Sequence, residues 1–163
     1  MSPERELAVG EKAPAVVLMD KDKNEVRLSD FKGKWVILYF YPKDNTSGCT
    51  QEAVDFTAHQ KELEKLNAVI MGVSPDSPES HCTFADKHDL TITLLSDVQH
   101  SVLDQYGAWK LKKMYGKEFM GVMRSTFLID PKGVIRHIWP KVSVKGHVEE
   151  VRKVLRELQK GER

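Results

Sequence analysis

The sequence predicts an α/β protein in which a mixed central sheet is flanked by helices, and three observations carry that expectation. Residues 35–41 (WVILYFY) are apolar at every position, which suits a central strand covered on both faces. Strand-like and helix-like segments alternate after it, the pattern of layered α/β folds. A hairpin signal and a long amphipathic segment then close the chain.

Taken in order, residues 15–20 (AVVLMD) and 25–30 (EVRLSD) flank the turn-prone KDKN and are expected to pair as an N-terminal hairpin. Pro42 ends the central strand, because proline offers no amide to a ladder. Across 50–66, Ala53, Phe56, Leu63 and Leu66 share one face at helical spacing. Residues 68–74 (AVIMGVS) read as a second buried strand. Residues 77–88 read as a helix, with Ser77 as its N-cap and Pro78 at its first position. Residues 92–97 (ITLLSD) form a strand, and 101–107 a short helix closed by Gly107. Residues 125–130 and 134–139 flank Pro131-Lys132-Gly133 as a hairpin. From 146 to 163, Val148, Val151, Leu155 and Leu158 form one stripe opposite charges, a surface helix packing on the sheet.

The 163 residues fit one domain, 1–163, and no repeat or low-complexity linker divides them. Lys plus Arg (25) nearly balance Asp plus Glu (24), so no strong field invites nucleic acid or an anionic membrane. No apolar run approaches the roughly 18 residues of a membrane span. The start, MSPERELAVGEKAPAV, is charged and lacks the apolar core of a secretory signal, so a reducing, cytoplasmic setting is expected. Two cysteines are too few for a disulfide scaffold; each is either a core residue or a reagent.

Cys49 lies where the central strand gives way to a helix. A thiol reacts as its thiolate, and a helix start turns unpaired amides and the positive end of the dipole toward sulfur. Thr46, three positions earlier, can hold a hydroxyl near it, and Gly48 allows close backbone approach. These residues alone leave open whether Cys49 is such a reagent or a buried, inert thiol. Other chemistries find no support. The six histidines show no metal-ligand spacing, no phosphate or dinucleotide cradle appears, and G-x-S-x-G is missing, so neither metal nor cofactor is expected. Thr46 stands where C-x-x-C would need its first cysteine, which excludes dithiol exchange within that motif. Residues 110–119 (KLKKMYGKEF) read as a solvated loop near the site, and His81 as a surface residue.

Pro42, Thr46 and Cys49 spell P-x-x-x-T-x-x-C, which resembles the active-site signature of the peroxiredoxins. The longer stretches FYPKDNTSGCTQEAVDF, GVSPDSPESHCTFADKH and GVMRSTFLIDPKGVIRHIW resemble the peroxiredoxin Q, or bacterioferritin comigratory protein, branch. The resemblance implies a thioredoxin-like fold with an added N-terminal hairpin. It also implies an antioxidant thiol peroxidase that reduces hydrogen peroxide and alkyl hydroperoxides without metal, haem or flavin. Cys49 would be the peroxidatic cysteine, passing through a sulfenic acid; Thr46 would hydrogen-bond the thiolate and the peroxide, and Pro42 would shield the sulfur. Arg124 would match the family's active-site arginine; without the resemblance it reads as a solvated residue at a strand start. Many members of the branch resolve from a cysteine five positions on, where this chain has Val54. Cys82, on the next expected helix, falls in the segment from which a second version of the branch resolves. The alternative is a structural Cys82 and a one-cysteine cycle. Thioredoxin or a related dithiol would be the reductant, and members are often monomeric.

Overall fold

The computed structural model describes residues 6–161. The charged residues 1–5 and the last two residues of the expected terminal helix lie outside this range. A seven-stranded sheet runs β2-β1-β5-β4-β3-β8-β9. Its strands are β1 (Val17–Asp20), β2 (Glu25–Arg27), β3 (Trp35–Phe40), β4 (Ala68–Ser74), β5 (Thr93–Ser96), β8 (Ser125–Ile129) and β9 (Ile135–Trp139). β3, β4 and β5 are mutually parallel, while β8 runs antiparallel to β3 with Phe40 opposite Ser125. The sheet is therefore mixed, as the segment order predicts.

β3 shows why an unbroken apolar run is a central strand. Its side chains alternate between two cores. Trp35, Ile37, Tyr39 and then Tyr41 face α1 (Ser47–Lys65), α2 (Pro78–His88) and α4 (His147–Gly161), meeting Phe56, Leu63, Phe84, Val151 and Leu155. Val36, Leu38 and Phe40 face the opposite layer, with Leu103 and Tyr106 around α3 (Ser101–Gln105). Each fully buried large side chain stabilises the fold by about 2 kcal/mol. Ser77 caps α2 by accepting from the Ser80 amide, and Gly107 takes a positive φ just beyond α3. Among the described residues, no helix is long and apolar enough to cross a membrane.

Two expectations change. The second hairpin strand stops at Arg27, and Leu28–Phe31 turns into a 3-10 helix instead of continuing to residue 30. Residues 110–119 are not a loop. β6 (Trp109–Met114) and β7 (Lys117–Val122) form an antiparallel hairpin. Its two-residue turn, Tyr115-Gly116, has positive φ at both positions (54° and 74°), the backbone that tight hairpins require. Most of the hairpin is solvated on both faces, so the apolar–polar alternation that marks a half-buried strand never appears in its sequence. It exposes Leu111, Met114, Tyr115, Phe119 and Met120, an apolar surface that is not visible as a stripe in the linear chain.

Candidate active site

The loop leaving β3 carries Pro42, Asp44 and Thr46 into α1. Asn45 adopts a left-handed φ of 65° and Thr46 an extended backbone, so helical geometry begins at Ser47 and Cys49 is the third helical residue. The first intrahelical bond runs from the Thr50 amide to the Thr46 carbonyl at 2.8 Å. The amides of the preceding turn thus have no helical acceptor, and the positive end of the helix dipole lies beside the sulfur. Cys49 is 1% exposed.

Arg124 arrives from the other side of the sheet order. β3 and β8 pair so that the residue just before Ser125 lies beside the end of β3, and the Val142 amide holds its carbonyl at 2.8 Å. Its guanidinium forks: Nη2 donates to Cys49 Sγ at 3.1 Å, and Nη1 donates to Glu52 Oε1 at 2.6 Å. Gly48 makes room for it, since a Cβ there would stand 3.3 Å from Nη2. Arg124 is therefore a part-buried contact of the thiol, not the solvated residue its sequence neighbours imply.

Glu52 was not singled out by sequence. It lies one turn after Cys49, is fully buried, and its Oε2 has no hydrogen-bond partner among the described residues. Burial pushes its carboxyl up to about 7, against the pull of Arg124. The same burial opposes the charge of Arg124, but Glu52 and Cys49 outweigh it and hold the guanidinium above its ordinary range. Lys112 on β6 is a further neighbour, held below the ordinary lysine range by burial and by Arg124. A signal for Glu52 did exist. Positions 49, 52, 53 and 56 form one helical stripe, and a carboxylate on a buried stripe calls for a cation.

Thr46 spends its hydroxyl proton on the Lys43 carbonyl at 2.9 Å, leaving its lone pairs to accept. Pro42 is partly buried in the same loop. Cys82 is partly buried on α2, and both thiols are free. His81 corrects the expectation of a surface residue: it is fully buried, with Nδ1 2.7 Å from Asp44 Oδ2 and Nε2 3.0 Å from the Leu95 carbonyl. It falls on one stripe with Phe84 and Ala85, and that spacing was the overlooked signal. Asp44, Asp76 and His81 also bring potential ligand atoms within 4.8 Å of one another, but the facing atoms already serve hydrogen bonds among themselves and their neighbours.

Comparison with known proteins agrees with this geometry. The model of the AhpC/TSA family matches residues 9–138. Peroxiredoxin Bcp of Bacillus subtilis is 49% identical over 152 residues, 93% of this chain and 97% of that protein. Peroxiredoxin Bcp of Escherichia coli is 40% identical over 151 residues, again 93% and 97%. Among solved structures, Xylella fastidiosa PrxQ superimposes with a TM-score of 0.87 at 36% identity, covering 96% of this chain and 98% of that one. Xanthomonas campestris bacterioferritin comigratory protein gives 0.84 at 39% identity, covering 87% and 90%. With its thioredoxin-like sheet and a buried thiol under an arginine, the chain belongs to the AhpC/TSA family of thiol peroxidases.

Proposed function

We propose that the protein reduces hydrogen peroxide and organic hydroperoxides with Cys49 as the peroxidatic thiol, Cys82 as the resolving thiol and thioredoxin or a similar dithiol protein as the electron source. The contact of Arg124 Nη2 with Cys49 Sγ at a helix start carries the reading, because it favours thiolate and meets charge that develops on oxygen. The thiolate attacks one peroxide oxygen, the O–O bond breaks, and water or an alcohol leaves after taking up a proton. Thr46, whose proton is already engaged, accepts a hydrogen bond from the peroxide, and Pro42 limits water at the sulfur. The sulfenic acid then condenses with the Cys82 thiol, releasing water and leaving a disulfide for the reductant. The Xanthomonas campestris protein has alkyl peroxide reduction activity, which supports organic hydroperoxides as substrates here.

Intact mass and peptide mapping after one equivalent of peroxide test the reading. Loss of two hydrogens with Cys49 linked to Cys82 is the expected result. One added oxygen on Cys49 with Cys82 free would make it a one-cysteine peroxidase, and no change within seconds would overturn the assignment.

Glu52 shares Arg124 with the sulfur, so its charge opposes the thiolate. Glu52→Gln should therefore speed iodoacetamide labelling of Cys49 at pH 7, by about fivefold. Because the folded-state value of Glu52 (about 7) lies above its ordinary 4.5, its ionisation costs stability progressively as pH rises across that window. The variant's advantage in Tm should grow over the same window. An unchanged labelling rate would limit Glu52 to orienting the guanidinium.

A further inference from the structure

Beside the catalytic thiol lies a second buried polar cluster that the peroxide step does not use. Asp44, 4% exposed, sits in the loop that enters α1, and His81, fully buried, sits on α2 immediately before Cys82. The Leu95 carbonyl can only accept, so His81 Nε2, 3.0 Å from it, carries a proton. Asp44 already accepts from the Tyr41 hydroxyl at 2.6 Å on Oδ1 and from the Ser80 hydroxyl at 2.8 Å on Oδ2. His81 Nδ1 lies 2.7 Å from the same Oδ2. Both ring nitrogens of His81 thus face an oxygen inside the protein. The Asp44 amide in turn donates to Asp76 Oδ2 at 2.8 Å, which also takes the Ser74 hydroxyl at 2.7 Å. Asp44 thus ties the loop before Cys49 to the end of β4 through its amide, and to the residue next to Cys82 through its carboxylate.

Such a tie opposes disulfide formation. Bonded sulfurs must come within about 2.05 Å. Here Cys49 is buried under Arg124 in one intact helix, while Cys82 belongs to another. Any displacement of the loop before Cys49 relative to the helix that carries Cys82 is opposed while Asp44 holds His81.

We propose that the Asp44–His81 pair is a latch: closed, it positions Cys49 for peroxide, and its opening gates the attack of the Cys82 thiol on the sulfenic acid. This rests on Cys82 being the resolving thiol. In the gated step, Cys49–SOH and Cys82–SH give the disulfide and water, with no other oxidant. Asp44 and His81 are positioning residues; neither touches the peroxide.

Rapid-quench mass spectrometry on the full chain separates the two steps. Asp44→Asn keeps the side chain's shape but replaces one of its two accepting oxygens by a donating amide, which weakens the hold on Tyr41, Ser80 and His81. It should raise the ratio of resolution rate to peroxide rate by about tenfold or more, with less Cys49 sulfinic acid at excess peroxide. Val151→Ala, a core change on α4, should weaken the fold and leave that ratio unchanged. The wild-type protein supplies an independent readout, in case Asp44→Asn does not fold. Nitrogen-15 NMR should show the His81 ring resonances, set in the reduced protein by contacts at both nitrogens, shifted in the disulfide form. A ratio indifferent to Asp44→Asn, or one that Val151→Ala raises equally, overturns the latch, as does an oxidised protein whose His81 ring resonances are unchanged. A wild-type chain that forms no Cys49–Cys82 disulfide overturns instead the resolving role on which the latch depends.

Discussion

Arg124→Ala should slow peroxide reduction about a hundredfold, measured as the second-order rate of sulfenic acid formation in stopped flow at pH 7. The guanidinium is the cation in direct contact with Sγ, at 3.1 Å, and its remaining exposure is small, so water replaces it poorly. On the proposed mechanism, losing it removes both the charge that favours thiolate and the donors that would meet the leaving oxygen. Arg124→Lys should recover only part of the rate. An ammonium lacks the planar fork that reaches Glu52 Oε1 and Cys49 Sγ together. Folded Arg124→Ala protein with a rate within twofold of wild type would remove Arg124 from the chemistry.

Gly72→Ala should destabilise the protein by about 3 kcal/mol, read from urea unfolding. Gly72 lies in β4 between Tyr39 of β3 and Leu94 of β5. A Cβ there would stand 2.6 Å from Tyr39 Cζ and 2.7 Å from its hydroxyl oxygen, closer than such atoms approach. The ring has little room to yield, because it stacks on Phe56 at 4.7 Å and lies against Tyr41 at 5.6 Å. Trimming the hydroxyl with Tyr39→Phe should restore little, since the contact at Cζ remains. Gly161→Ala is the control, because a Cβ at that position meets nothing within 4 Å. Equal stability of Gly72→Ala and wild type would show that β3 and β4 separate more readily than their packing indicates.

Local signals were enough for much of this protein. The two-faced burial of residues 35–40 is written in consecutive apolar positions, and the Ser77 cap in a serine followed by proline. The position of Cys49 at a strand-to-helix junction was equally legible. Glu52 and His81 were harder, because their partners are remote: Arg124 is 72 residues from Glu52, and Asp44 is 37 residues from His81. Each reads locally as one more polar helix residue, and only its place on a buried stripe betrays it. Arg124 shows the same limit from the other end, since nothing around it in sequence announces a thiol 75 residues away; family resemblance supplied it. The β6–β7 hairpin escaped for a different reason. Its pairing depends on one turn with two left-handed residues, not on a core that patterns its strands.

The antiparallel pairing of β3 with β8 also sets when the thiol becomes a reagent. During synthesis Cys49 emerges 75 residues ahead of Arg124, and α1 can form before β8 exists. Until β8 docks, the sulfur has the helix amides but no guanidinium, and no Arg124 to hold charge on a departing oxygen. Closing that long loop is a late, high-contact-order event. If Cys49 is the peroxidatic thiol, fast peroxide reaction should therefore appear during refolding only once β8 has docked.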